Sequence, residues 1–200
     1  MKLLSNVNSS DLIREEIMQI VSSIAPFDLI EKEQIDFVKN WILSGAEIFR
    51  IAKPDKPNIH LVSYFIVVDP ISNEFLLVDH KKANLWLPPG GHVEPNEHPK
   101  EAVKREAKEE LGIEAEFVFE DPLFLSIATT VGSIDPHTDI SLWYVLRVNR
   151  EDYLNFDADE FYQIRWFDWN EIPYERTDPH MKRFVDKIIN IKKHEDRYSF

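Results

Sequence analysis

The sequence predicts an α/β (α+β) fold, in which helices pack on a β-sheet and a helical hairpin precedes them. Apolar residues recur at helical spacing over residues 11–24, and again between Asp28 and Gly45. After a polar linker, segments rich in β-branched and aromatic residues alternate with turn residues, and two further helices interrupt them. Hairpin strands combined with helices favour layered packing around one core.

The first fifty residues differ in pattern from the rest of the chain. Pro26 ends the first helix, and Asp28 with Glu31 three residues later forms a capping-box pattern at the start of the second. Residues 53–57 are polar and contain two prolines, which is typical of a linker. We therefore expect an N-terminal helical extension over residues 1–52 and a main domain over residues 58–195.

The main domain should contain six strands and two helices. We expect the strands at residues 59–68, 75–79, 116–119, 123–130, 140–148 and 163–169, and the helices at residues 99–111 and from Asp178 to about residue 193. A turn at residues 69–74 should join the first two strands.

Composition excludes several classes of protein. The 200 residues include no cysteine, so thiol nucleophiles, zinc ribbons and iron–sulfur sites are excluded. The net charge of −13 opposes general binding to nucleic acid or to an anionic membrane. No apolar run approaches the roughly 18 residues of a membrane span. The first residues lack a secretory signal pattern, so we expect a cytoplasmic protein.

Three carboxylates in one short window point to a divalent cation. Glu106, Glu109 and Glu110 fall on one face of the predicted helix at residues 99–111. Clustered carboxylates repel one another unless a counter-charge lies among them, and hard cations prefer oxygen ligands. The preceding loop contains Gly90 and Gly91, which allow a backbone carbonyl to approach the same cation. The alternative is a solvated helix face with ordinary ion pairs to neighbouring lysines.

The complete spacing of this window decides between those alternatives. From Gly91 the chain reads glycine, five residues, Glu97, seven residues, Arg-Glu-Ala, one residue, Glu-Glu, one residue, then Gly112 and isoleucine. This pattern resembles the Nudix box at each defined position, with Ala107 as a small apolar residue. The resemblance covers about residues 58–190 and implies a Nudix-type α/β/α sandwich with a mixed sheet.

The resemblance also implies an activity and roles for the residues of the box. Nudix hydrolases cleave a diphosphate bond in nucleoside diphosphate derivatives by water attack on phosphorus, with Mg²⁺ or Mn²⁺. By similarity, Glu109, Glu110 and the Gly90 carbonyl bind metal, and Glu106 is either a further ligand or the base. Arg105 would orient the Glu106 carboxylate. Gly91, Glu97 and Gly112 would have structural roles.

Residues outside the box offer further candidates. Many Nudix proteins take another carboxylate from a loop before a late strand, and here Glu160, with Asp159 second, is the candidate ligand or base; a solvated acidic loop is the alternative. Trp86 and Trp143 could stack on a nucleobase or pack in the core. His137 could contact phosphate or base. His92 and His98 occupy variable positions of the box, so the sequence assigns them no role.

The substrate class stays open at this stage. Nucleoside triphosphates, including oxidised ones, are the favoured substrate class, and ADP-ribose or nucleotide sugars are the second. A non-hydrolytic nucleotide sensor or partner-binding domain is the alternative to an enzyme. RNA is disfavoured as a substrate because the sequence shows no basic stripe. The helical hairpin could cover the pocket, form a homodimer interface or cap the sheet.

Overall fold

The computed structural model describes residues 9–53, 55–130 and 136–194, so residues 1–8 and 195 of the predicted domain bounds lie outside it. The helices in this part of the chain are α1 (Ser9–Ser23), α2 (Leu29–Leu43), α3 (Pro99–Leu111) and α4 (Met181–His194), with a 3-10 helix at Tyr174–Arg176. The strands are β1 (Ile59–Val68), β2 (Phe75–His80), β3 (Leu85–Leu87), β4 (Gly90–His92), β5 (Phe124–Thr129), β6 (Thr138–Arg147) and β7 (Phe161–Phe167). No helix among these residues is long and apolar enough to cross a bilayer.

The centre of the sheet is the parallel pair β1 and β6. They run in register over ten residues, from Ile59 opposite Thr138 to Val68 opposite Arg147. The strand β5 pairs antiparallel with the far edge of β6. The other edge of β1 is divided, because β2 pairs with its end and β4 with its middle. The mixed sheet predicted from the sequence is therefore confirmed.

The alternation of side chains along the central strands fills two separate cores. On one face of the sheet, Leu61 and Leu142 pack with α3 and with both N-terminal helices. On the other face, Ile66 and Trp143 pack against α4, where Phe184 is fully buried. Residues of opposite parity thus point to opposite faces, as a strand period of two requires. This gives the layered α/β arrangement.

The N-terminal helices belong to the first core. Ile17, Val21 and Val38 are buried in the same cluster as the sheet residues of that face. The sequence left three roles open for these helices, namely covering the pocket, forming a homodimer interface or capping the sheet. In the structure they pack against one face of the sheet. Asp28 caps α2 by accepting the Glu31 N–H at 2.8 Å, as the capping-box pattern predicts.

A buried ion pair joins the second N-terminal helix to the C-terminal helix. The carboxylate of Glu31 is fully buried and lies 2.8 Å from the Lys187 ammonium. It also accepts backbone N–H groups from Phe27 at 2.6 Å and Leu125 at 3.2 Å. Lys187 donates in addition to the carbonyl of Ala25. A single carboxylate therefore joins α2, β5 and α4.

One predicted strand is wrong and two short strands were missed. Residues 116–119 form only an isolated antiparallel bridge between Phe117 and Leu146, because the chain bends from Val118 onward and leaves the end of β6. The strands β3 and β4 have three residues each, which is too short for an alternating pattern to be recognised. In addition, two of the three residues of β4 are glycines, which are depleted in strands. Their structure comes from pairing with β2 and β1.

We predict that Lys187→Met lowers the free energy of unfolding by about 3–5 kcal/mol, because it leaves the Glu31 carboxylate buried without its counter-charge. Urea unfolding would measure this. Lys182→Met is the matched control, since Lys182 pairs with Asp186 on the exposed face of the same helix. A loss no larger than that of the control would show that the buried pair contributes little.

The pair Asp28–Arg183 gives a second prediction, on pH. The Arg183 side chain, hydrogen-bonded at 2.6 and 2.7 Å, and the Glu31 N–H lower the pKa of Asp28 below 3.8, against the opposing effect of burial. This pair therefore stabilises the fold above about pH 3.8, and its contribution is lost as the pH falls through the lowered pKa. Asp28→Asn keeps the helix cap, so wild type should lose more stability than this variant between about pH 5 and pH 2. An equal loss of stability in wild type and in Asp28→Asn over this pH range would contradict the prediction.

Candidate metal centre and active site

The glycine loop lies on the sheet edge next to β1. Gly90 pairs with Tyr64 and Gly91 with Ser63 in the antiparallel ladder of β1 and β4. Gly90 has φ +143°, and a Cβ there would collide with the backbone of Ser63. Only glycine fits this approach. Gly112 ends α3 in the left-handed conformation at φ +70°, which is the usual C-terminal role of glycine.

Arg105 joins the loop to the helix. Its guanidinium donates to both carboxylate oxygens of Glu97 at 3.0 Å each, and to the backbone carbonyl of His92 at 3.0 Å. It also donates to Glu106, and it lies 3.6 Å from a carboxylate oxygen of Glu109. The Glu97 and Glu106 hydrogen bonds raise the pKa of Arg105, although burial opposes them. The arrangement fits the positioning role that the box resemblance implies for Arg105 and Glu97.

Two carboxyl groups of the box lie against the glycine loop, Glu110 buried beside Gly90 and Glu106 partly buried beside Gly91. Glu110 is 6% exposed and accepts the Gly90 N–H at 2.8 Å. Burial and then the charge of Glu106 raise the pKa of Glu110 well above its usual value. Burial also raises the pKa of Glu106, although Arg105 opposes this effect. Arg105 therefore compensates only part of the negative charge, and a cation would stabilise the ionised form of both groups.

The remaining acidic candidates surround this pair. Glu109 is exposed on the outer side of the helix, with its side chain 61% accessible. The charge of Glu160 raises the pKa of both Glu106 and Glu110, which places Glu160 near these two carboxyls. Asp159 is exposed, and its backbone N–H donates a hydrogen bond to Asp157 Oδ1 at 2.7 Å.

Asp157 is a candidate that sequence reasoning missed. Its charge raises the pKa of Glu110, and its backbone N–H donates to the Glu110 carbonyl at 2.8 Å. The signal was present in the acidic run 157–160, but position alone did not favour Asp157 over Glu160. The structure thus shows that one loop brings two carboxylates toward α3.

The three substrate candidates have different surroundings. Trp143 is fully buried, stacks on Phe184 and donates its indole N–H to Ser126 Oγ at 2.8 Å. Trp86 is 7% exposed and packs edge-on against Phe167. Both therefore have the core packing that was the alternative to base stacking. His137 is partly buried and lies beside Asp139, away from the box helix in sequence.

The donor set fits a hard divalent cation. Glu106, Glu109, Glu110 and Glu160 supply only carboxylate oxygens, and Gly91 lies so close to Glu106 that a Cβ there would meet its carboxylate. Mg²⁺ and Mn²⁺ prefer such ligands. Burial is the largest cause of the raised pKa values of Glu106 and Glu110, and a bound cation would favour their ionised forms.

Comparison with known proteins defines the family. The sequence model of the family described as NUDIX domain matches residues 60–188, which are more than half of the chain. The chain therefore belongs to the NUDIX family, and the resemblance seen in the sequence is confirmed. The four helices and mixed sheet also agree with the solved NUDIX structures described next.

Two curated relatives match a short part of the chain. The bis(5'-nucleosyl)-tetraphosphatase [asymmetrical] of Rattus norvegicus is 47% identical over 49 residues, which are 24% of this chain and 33% of that protein. A putative 8-oxo-dGTP diphosphatase of Bacillus subtilis (strain 168) is 45% identical over 51 residues, 26% of this chain and 34% of that protein. The matched part thus spans about a third of the length of these relatives.

Solved structures are similar over most of their own length. A NUDIX family hydrolase from Clostridium perfringens has a TM-score of 0.51 at 23% identity, covering 68% of this chain and 98% of that one. A C. elegans Ap4A hydrolase binary complex has a TM-score of 0.57 at 20% identity, with the same coverage. The MutT protein from Methanosarcina mazei Go1 has a TM-score of 0.53 at 22% identity, covering 68% and 96%. At these identities the likeness shows a shared fold.

We predict that Gly91→Ala weakens Mn²⁺ binding by at least about tenfold, or about 1.4 kcal/mol, because the added methyl group would meet the Glu106 carboxylate and displace it. Isothermal titration calorimetry would measure the affinity. Gly45→Ala is the control, since its methyl group would meet nothing within 4 Å. Unchanged Mn²⁺ affinity in folded Gly91→Ala would remove Glu106 from the metal site.

Proposed function

We propose that this protein is a Mg²⁺-dependent pyrophosphohydrolase that cleaves a diphosphate bond in a nucleoside diphosphate derivative. The observation that carries the proposal is the pair of carboxyls, Glu110 buried and Glu106 partly buried, held against the glycine loop with incomplete charge compensation. Membership of the NUDIX family and the hydrolase names of its relatives support an enzyme acting on phosphorus anhydrides.

The proposed reaction needs metal ligands and a base that removes a proton from water. Glu109, Glu110 and the Gly90 carbonyl would hold the metal ion. The charge of Glu106 would attract the same ion, whether Glu106 is a further ligand or the base. Glu160 is the other candidate for that role. When bound, the ion would neutralise charge on the diphosphate and polarise its oxygens. Water attacks one phosphorus, the bridging P–O bond breaks, and the leaving phosphate keeps the bonding electron pair. A carboxylate takes the proton of the water.

Two carboxylates compete for the role of base. Glu106 is partly buried and hydrogen-bonded by Arg105, which fixes its direction. Glu160 lies on a loop, and its charge acts on Glu106 and Glu110. We favour Glu106, because its position is fixed by the helix and by a charged hydrogen bond. Glu106→Gln and Glu160→Gln, compared by kcat across pH, would distinguish the two.

The substrate class that we favour is the nucleoside triphosphates, including oxidised ones, with ADP-ribose and nucleotide sugars next. The relative named as an 8-oxo-dGTP diphosphatase supports the first class. The relative named as a bis(5'-nucleosyl)-tetraphosphatase adds dinucleoside polyphosphates to the substrates to be tested. Cytoplasmic location and a homodimer stay predictions from the sequence.

The test is phosphate release, coupled to a phosphatase, across these four substrate groups with Mg²⁺ and with Mn²⁺. We expect one preferred group and a fall in kcat of at least about 100-fold in Glu109→Gln, because the cation loses a charged ligand. Glu101→Gln is the matched control, because this exposed residue of the same helix forms an ion pair with Lys104 on the solvent side.

The alternative is a nucleotide sensor that binds without turnover. Absence of phosphate release across the whole panel with both cations, in folded protein that still binds nucleotide, would support the sensor. Equal turnover in Glu109→Gln and in wild type would instead contradict the metal role of Glu109.

A further inference from the structure

Three histidines and two aspartates meet at one end of the sheet, apart from the carboxylates of the box helix. His60 is the second residue of β1 and pairs with Asp139 of β6. His137 directly precedes β6, and His92 ends β4. Asp55 belongs to the segment between the helical hairpin and β1. Residues distant in the sequence are thus brought together by the pairing of β1 with β4 and β6.

The side chains of this histidine cluster (Asp55, His60, His92, His137 and Asp139) converge. The ring centroid of His60 lies 4.8 Å from that of His92 and 5.1 Å from that of His137. One ligand atom from each histidine and one from Asp55 all lie within 4.8 Å of one another. Asp139 Oδ1 lies 3.4 Å from His60 Nε2 and 3.3 Å from His137 Nε2.

The hydrogen bonding of His60 leaves a lone pair pointing into the cluster. Its Nδ1 lies 2.8 Å from the carbonyl of Pro57, which can only accept, so Nδ1 carries a proton. The side chain is fully buried, and its Nε2 makes no hydrogen bond with any described residue. Asp139 Oδ1, which faces it, is also buried and without a hydrogen-bond partner among these residues. Two acceptor atoms in this position require either a proton or a cation between them.

His92 adds a second nitrogen of the same kind. Its ring centroid lies 6.2 Å from that of His137, on the side of the cluster that also faces His60. Its Nε2 is buried without a hydrogen-bond partner in the described part of the chain. The outer nitrogen of His137, Nδ1, lies 3.4 Å from Asp55 and 3.3 Å from Thr130 Oγ1.

We propose that His60, His92 and His137, with a carboxylate of Asp55 or Asp139, bind one zinc ion. Three imidazoles and a carboxylate suit zinc, whereas Mg²⁺ prefers oxygen ligands alone. Zinc bonds of roughly 2.0–2.1 Å in a tetrahedron place neighbouring donor atoms roughly 3.4 Å apart. The separations between Asp139 Oδ1 and the two histidine nitrogens match this value.

The surroundings of the cluster also match a metal site. The ligating histidine in such sites usually donates its other ring N–H to a carbonyl or carboxylate, as His60 does to Pro57. A bound zinc ion would link the segment around Asp55 to the central strands. The same ion would fix the end of β4, where the backbone carbonyl of His92 accepts a hydrogen bond from Arg105. This proposal does not depend on the proposed hydrolysis.

The test is zinc binding to the full chain after removal of metals by a chelator. Zn²⁺ is titrated against a chromophoric competitor in excess Mg²⁺, which occupies the oxygen ligands of the box. We expect one tightly bound zinc per chain, and at least about 100-fold weaker binding in His92→Asn and in His137→Asn, since loss of even an outer partner costs roughly 10–100-fold. Asp55→Asn and Asp139→Asn then show which carboxylate is the ligand, by the larger loss.

His98→Asn is the matched control. His98 caps α3 by accepting the Lys100 N–H at 3.1 Å, and asparagine is a good substitute at that position. Its zinc affinity should equal that of wild type. Zinc binding that is equally strong in wild type, His92→Asn and His137→Asn would overturn the proposal and place the ion on the box carboxylates.

Cobalt provides a test without variants. Co²⁺ bound to wild type should give the intense visible absorption of a four-coordinate site, and added Zn²⁺ should displace it. Weak absorption typical of six oxygen ligands, or no zinc bound at all, would overturn the proposal. In that case a proton on His60 Nε2 would join it to Asp139 Oδ1, 3.4 Å away.

Discussion

Among the described residues, the guanidinium of Arg105 is the positive group that contacts the carboxylates of Glu97, Glu106 and Glu109. It holds both oxygens of Glu97 and the carbonyl of His92, so the loop before α3 cannot move independently of the helix. It also fixes Glu106. Because the guanidinium is planar and presents several donors in fixed directions, one side chain can orient a loop, a strand end and a carboxylate together.

This compensation is incomplete, and in the proposed function that incompleteness is what would attract a cation. One guanidinium faces Glu97, Glu106 and Glu109, while Glu110 depends on the N–H of Gly90. A fully neutralised cluster would have no need of a cation. Glu106 and Glu110 instead keep a raised pKa, which a divalent ion would lower by binding.

The sheet that carries this site is supported from both sides by charged contacts as well as by apolar packing. Glu31 joins the N-terminal hairpin to β5 and α4 inside the protein. Breaking such a pair is costly, because the remaining charge stays buried. The N-terminal helices are therefore part of the structure that supports the sheet.

Several features could be predicted from the sequence because their cause is local. The bounds of α3 match the prediction, since Pro99 and Gly112 mark its ends through their own backbone preferences. The strand at Ile59–Val68 was equally clear from its composition. The segment at residues 116–119 has the composition of a strand but lacks a continuous partner, so the prediction there was wrong.

The box, its acidic helix face and the family can be identified from the chain alone, because the spacing along one helix fixes which side chains share a face. Three other features depend on the folded protein: Trp143 lies in the core, Asp157 approaches Glu110, and His60, His92 and His137 meet. Their cause is strand pairing. The register of β1 with β4 and β6 places residues next to each other that are far apart in the chain, and no local pattern encodes that register.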